Sequence, residues 1–199
     1  NNHLVEAIED AGCEAVLPGI VPFLANGLYT AEWNQAVLGT GGNIRVKAAI
    51  RHLIEMYRSP VRAATMATAG KFDPPADMRK LVRLATEFST LGHQAGEGWL
   101  LTAEMLDLLE LGVPNVVCVQ PFACMPNHVV GKGMFKEIRR IHPEANLVAV
   151  DYDPGASEVN QLNRIKLMIA TALEQAGATG GFGGATGADR NAVLSACLR

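Results

Sequence analysis

Two short, unbroken apolar runs, Val116-Val117-Cys118-Val119 and Leu147-Val148-Ala149-Val150, constrain this chain more than any other feature. A strand with one wet face alternates polar and apolar residues. An unbroken run is buried on both faces, which is typical of a parallel sheet covered on both sides. Between the runs, Met134, Ile138 and Ile141 recur at helical spacing, and parallel neighbours need such a crossover. After the second run comes Asp151-Tyr152-Asp153-Pro154-Gly155. Ser157 then reads as the cap of a helix carrying Leu162, Ile165, Ile169 and Leu173.

The expected fold class is therefore α/β: a short parallel sheet with helices on both faces, Rossmann/flavodoxin-like, with a helical insertion. Asn1 and Asn2 read as caps of a helix through Leu4, Ile8 and Ala11 that Gly12 closes. Cys13 to Leu17 reads as a strand stopped by Pro18-Gly19. That helix feeds a strand with none before it, so the domain is expected to lack its first strand and to be a fragment of a larger protein. Residues 22–91 carry helical patterns only and form the insertion. One helix has Val46, Ile50, Leu53 and Ile54 as its apolar side, with Ser59-Pro60 expected to break it before a further helix from Val61 to Ala69. Another covers Asp77 to Phe88, and Trp99 to Leu111 ends at Gly112. The expected division is an α/β domain over 1–176 and a Gly/Ala-rich flexible tail over 177–199, with a short helix from Ala192 to Leu198.

Composition excludes several function classes. With 199 residues, 49% hydrophobic, the chain is long enough for a real core. Charged residues make up 19% and formal net charge is −3, a field that recruits neither nucleic acid nor an anionic membrane. No apolar run approaches the ~20 residues of a membrane span. The expectation is a cytoplasmic protein. The four cysteines, Cys13, Cys118, Cys124 and Cys197, are too scattered for a disulfide framework and form no C-x-x-C pair.

The chemistry-bearing segment is Cys118-Val119-Gln120-Pro121-Phe122-Ala123-Cys124-Met125-Pro126-Asn127-His128, where a buried strand gives way to a helix. Ligands gather at that end of an open α/β sheet because backbone groups and helix N-termini converge there. A helix starting near Pro126 puts His128 in its first turn, close to the Cys124 thiol, so a Cys/His nucleophile is one use. An iron–sulfur ligand is another, and with Cys118 inside the strand such a site would be shared with another domain. Gly131-Lys132-Gly133 reads as a helix start, open to phosphate binding or to tight helix packing. Gly96-Glu97-Gly98 reads as a site loop or as a turn whose acid faces a helix dipole. The acids Asp151 and Asp153 could hold a metal or a ribose, or satisfy turn amides.

Three blocks carry a resemblance: Gly96 to Met105, Cys118 to Gly133, and Ala149 to Arg164, the last reading AVDYDPGASEVNQLNR. Over roughly residues 1–175 the chain resembles the C-terminal region of the large CoA-substrate-specific enzyme activase-related proteins, relatives of the 2-hydroxyacyl-CoA dehydratases of anaerobic bacteria. The resemblance implies ATP-driven, low-potential electron transfer to an iron–sulfur cluster that serves dehydration of a CoA thioester through a ketyl radical. It implies Cys124 as a metal ligand, with Gln120, Asn127 and His128 around it and Glu97 and Lys132 lining the same cleft. The implied partners are the other domains of a parent chain, namely an actin-like ATPase activase and the cluster-ligating domains, and an acyl-CoA substrate. A homodimer through the open sheet edge is also allowed. No ATPase motif lies in these residues, and the family's other cluster cysteines lie upstream of the matching region. Two other readings stand beside this one: a docking module, and a Rossmann-like small-molecule or nucleotide-binding domain using the Gly131-Lys132-Gly133 helix start.

Overall fold

The computed structural model describes residues 3–153, 155–179 and 193–197; Asn1 and Asn2, the expected caps, lie outside them. The chain divides into two compact units, one of Asn1–Pro18 with Glu104–Arg199 and one of Gly19–Ala103.

The first unit is α/β. Helix α1 (Leu4–Asp10) leads into β1 (Glu14–Val16). After α6 (Trp99–Glu110) come β2 (Asn115–Pro121), α7 (Phe135–Ile141), β3 (Asn146–Tyr152), α8 (Glu158–Thr179) and β4 (Val193–Cys197). The four strands form one sheet in the order β1-β4-β2-β3, and every pairing is parallel. β2 and β3 run in register from Asn115 beside Asn146 to Pro121 beside Tyr152, so both strands end level with each other. Successive side chains of a strand point to opposite faces. Val117 and Val119 of β2 and Val150 of β3 pack with Leu4 and Ile8 of α1 and with Ile165, Met168 and Ala172 of α8. Val116, Cys118 and Gln120 point the other way and are also buried, so β2 has no wet face.

One expectation fails here. The segment Val193–Cys197 is a strand paired on both sides, to β1 and to β2, rather than the short helix its composition suggested. Its Val-Leu-Ser-Ala-Cys run is short enough to join a ladder, and a slot between two parallel strands satisfies its backbone amides and carbonyls. Helix α8 also continues to Thr179, past the expected boundary at 176. The rest of the expected tail, 180–192 and 198–199, lies outside the described residues.

The second unit contains α2 (Ile20–Tyr29), α3 (Ala31–Leu38), α4 (Ile44–Met66) and α5 (Met78–Phe88), with no strand among its described residues. Its core joins Met78, Leu81 and Ala85 of α5 to Leu91, Trp99, Leu100 and Ala103. Asn43 and Asp77 cap α4 and α5, accepting from the amides of Val46 and Arg79.

Helix α4 departs from expectation twice. It runs unbroken through Pro60. Proline lacks the N–H that would bond the Met56 carbonyl four residues back, and the Ser59 hydroxyl donates to that carbonyl at 2.9 Å instead. Most of its apolar side also faces out: Val46, Ile50 and Leu53 are 52%, 41% and 48% exposed and Ile54 is half-buried, while the buried residue of the helix is Arg58. Arg58 donates to Glu55 and to the Ala76 carbonyl, both at 2.7 Å, so charge and hydrogen bonds take part in closing the inner face.

Candidate functional site

β2 ends where Pro121 removes a ladder donor. A four-residue turn follows, closed by the Cys124 amide donating to the Pro121 carbonyl at 3.2 Å. Its third residue, Ala123, has φ 56°, the left-handed region that disfavours a side chain. Helical structure begins at Met125 and passes through a π-helical turn, Asn127–Gly131, then a 3-10 turn, Lys132–Met134, before α7. Wide turns of this kind are rare and often sit at functional positions.

The turn and the two strand ends bring five side chains together. Cys124 is half-buried, and its Sγ–H donates to Asn127 Oδ1 at 2.9 Å. Asn127, 2% exposed, is fixed in turn because its Nδ2 donates to the Val119 carbonyl at 3.3 Å. His128 Nδ1 lies 2.9 Å from the Cys124 carbonyl. A carbonyl only accepts, so Nδ1 carries the proton and Nε2 is left as the free nitrogen, 4.0 Å from Asp151 Oδ1. That carboxylate oxygen also accepts from Gln120 Nε2 at 2.6 Å across the β2–β3 pair. Gln120 is fully buried, and its Oε1 has no partner among the described residues.

Beside this cluster, a cleft of about 250 Å³ runs along the end of β3 and the start of α8, lined by Asp151, Ser157, Asn160, Gln161 and Arg164. Gln161 donates to the Asp151 carbonyl and Arg164 to the Ala149 carbonyl, so both are anchored to β3. Asp153 serves its turn, its carbonyl accepting from the Ala156 amide.

The expected site residues thus separate into groups. Cys124, Asn127, His128 and Gln120 come together at one strand end. Asp151, read in the sequence as a metal or ribose ligand or a turn residue, joins them; the level ends of two adjacent parallel strands are the signal that could have placed it there. Lys132 and the glycines flanking it do not begin a helix. They fall inside a continuous helical run, Lys132 is exposed, and a Cβ on Gly133 would stand 2.9 Å from the His128 carbonyl. That closeness explains the glycine by packing, and the phosphate-binding reading loses its helix start. Glu97 belongs to the helical unit, where its carbonyl accepts from the Leu100 amide. Gly98 beside it has φ 53°, and a Cβ there would lie 1.9 Å from the His93 carbonyl, so this glycine serves its own loop.

The chemistry of the thiol follows from its partner. Asn127 Oδ1 can only accept, so the Cys124 sulfur meets it as the donor. His128 addresses the Cys124 carbonyl and not its sulfur, which leaves the Cys/His nucleophile without its base. Among the described residues, Cys13 and Cys118 are buried at 6% and 1%, and burial pushes the Cys13 thiol up. No group of three His, Cys, Asp or Glu side chains among them could hold a metal. An iron–sulfur cluster wants several thiolates. Of Cys13, Cys118 and Cys124, only Cys124 is accessible, and these three thiols do not by themselves fit such a cluster. No helix among them is long and apolar enough to cross a membrane.

Comparison with known proteins finds no match to any protein-family model, curated protein or solved structure.

Proposed function

We propose that this chain is the C-terminal domain of a 2-hydroxyacyl-CoA dehydratase/activase-related protein. In this reading it is a cytoplasmic domain that works within ATP-dependent, low-potential electron transfer to an iron–sulfur cluster for CoA-thioester dehydration. The chain supplies one thiolate, Cys124, and the remaining ligands come from other domains of the parent polypeptide. The reading rests on the three resembling sequence blocks. The observation that carries it is the half-buried Cys124 at the carboxyl end of β2, on a strained turn, with Asn127 against its sulfur. The role left to this domain's own residues is positional: Asn127 and the turn hold the sulfur, while Gln120 and Asp151 hold the floor beside it.

Anaerobic reconstitution of the parent polypeptide with iron and sulfide tests this, comparing wild type with Cys124→Ser. Iron content and the visible charge-transfer band are expected to fall in the variant. Unchanged iron and spectrum would reduce the domain to a docking module.

The cleft at the end of β3 favours a second reading, a Rossmann/flavodoxin-like domain that takes a small molecule there. Calorimetry of the chain with nucleotides and with CoA separates the two, since only the second reading expects heat from this domain alone.

A further inference from the structure

The helical unit holds a cavity of its own, about 460 Å³ in volume, inside the ~300–1,000 Å³ range usual for small-molecule sites. Its walls are set by an interlocked chain of contacts. The Arg51 guanidinium lies over the Tyr29 ring, 5.2 Å from the centroid, and is ion-paired with Glu32. The Tyr29 hydroxyl donates to Glu55 Oε1 at 3.3 Å, and Glu55 is held in turn by Arg58 at 2.7 Å and Arg62 at 3.8 Å. Burial first, and then the Glu55 carboxylate, push Tyr29 up to about 12, so this phenol remains a donor throughout the ordinary pH range. Side chains locked this way have already lost their freedom, which lowers the cost of binding.

Two residues of the wall are not locked. The side chains of Arg79 and His52 line the cavity and have no hydrogen-bond or ion-pair partner among the described residues. The charge balance is uneven for the same reason. Arg51, Arg58 and Arg62 are paired with Glu32, Glu55 and Asp77, the last by the 3.8 Å contact from Arg62, which leaves the Arg79 charge unmatched. The remaining wall is apolar, from Ala48, Val82 and the Tyr29 ring.

We propose that this cavity binds a small organic monocarboxylate. Arg79 takes the carboxylate in its planar fork, His52 adds a donor, and the apolar body of the ligand lies against Tyr29, Ala48 and Val82. One free guanidinium matches one negative charge, whereas a phosphate dianion would bring a second charge toward Glu32 and Glu55. The inference is independent of the cysteine loop and of the function proposed for it.

Titration of the 199-residue chain with butyrate, with butyramide and with inorganic phosphate tests it, read on the arginine and histidine side-chain signals by NMR. Butyrate should bind saturably, one per chain. Butyramide, the same shape without the charge, should bind at least about tenfold more weakly. Arg79→Gln should weaken butyrate by a similar factor. Arg79 is exposed and its side chain touches no partner, so this variant keeps its fold, which thermal melting verifies. Ala48→Leu, which fills the cavity and leaves the charges in place, should also abolish saturable binding. Unsaturable shifts, an equal response to butyramide, tighter binding of phosphate than of butyrate, or an Arg79→Gln variant that binds as wild type would each overturn the assignment.

Discussion

Ala123 sits where a glycine belongs. At φ 56° an L-residue costs about 1–2 kcal/mol, and glycine returns about 0.5–1 kcal/mol of that as backbone entropy. Ala123→Gly is therefore expected to stabilise the chain by roughly 0.5–1 kcal/mol, read as a higher denaturation midpoint with an unchanged slope. A lower midpoint would mean that the methyl group packs usefully and that the turn is not strained. At this scale the sequence was legible wherever the signal was local. Pro121, Pro126 and the apolar run before them place Cys124 at a strand end and His128 in the first helical turn. The pairings around them were not legible. Gln120 finds Asp151 across a strand pair, 31 residues apart. Asn127 takes the thiol, while the His128 ring nitrogen reaches only a carbonyl. Which of two polar neighbours captures a sulfur depends on angles of the π-helical turn, and no spacing rule encodes them.

Among the elements, α4 is the one whose pattern misleads. Its aliphatic positions recur at helical spacing, as a core face should, yet the structure turns Val46, Ile50 and Leu53 outward and buries Arg58. The reason lies in partners elsewhere: Glu32, Asp77 and the Ala76 carbonyl compensate the inward-facing arginines, and none is visible in the helix itself. Two substitutions should therefore rank opposite to hydrophobicity. Arg58→Met leaves the Ala76 carbonyl and part of Glu55 unanswered and is expected to cost about 2–3 kcal/mol. Leu53→Lys, on the exposed stripe, should stay within about 0.5 kcal/mol of wild type. Chemical denaturation of both variants checks this, and a larger loss at Leu53 would return that stripe to a core. Pro60 misled for a different reason. The rule that proline stops a helix rests on an unanswered carbonyl, and here Ser59, the adjacent residue, answers it.

For the molecule as a whole, the α/β class, the parallel pairing and the helical block between β1 and β2 were all readable from short apolar runs and their spacing. The position of β4 was not. Five residues behind a stretch rich in glycine and alanine carry no periodic signal strong enough to announce a strand, and ladder partners are never written locally. Deleting Val193 to Arg199 should leave β1 without its described neighbour and expose one side of β2, because β4 stands between them. Loss of a cooperative unfolding transition in the sheet-bearing unit is the expected result, measured by hydrogen exchange at β1 and β2 amides. Unchanged protection there would show that β4 contributes nothing to the ladder.

That same placement fixes an order of events during synthesis. Glu14 lies beside Val193, so β1 must wait for β4, the last of the four strands in chain order, before their ladder can close. Until then β1 is an unpaired edge on a growing polypeptide, open to capture by a chaperone or by a neighbouring nascent chain.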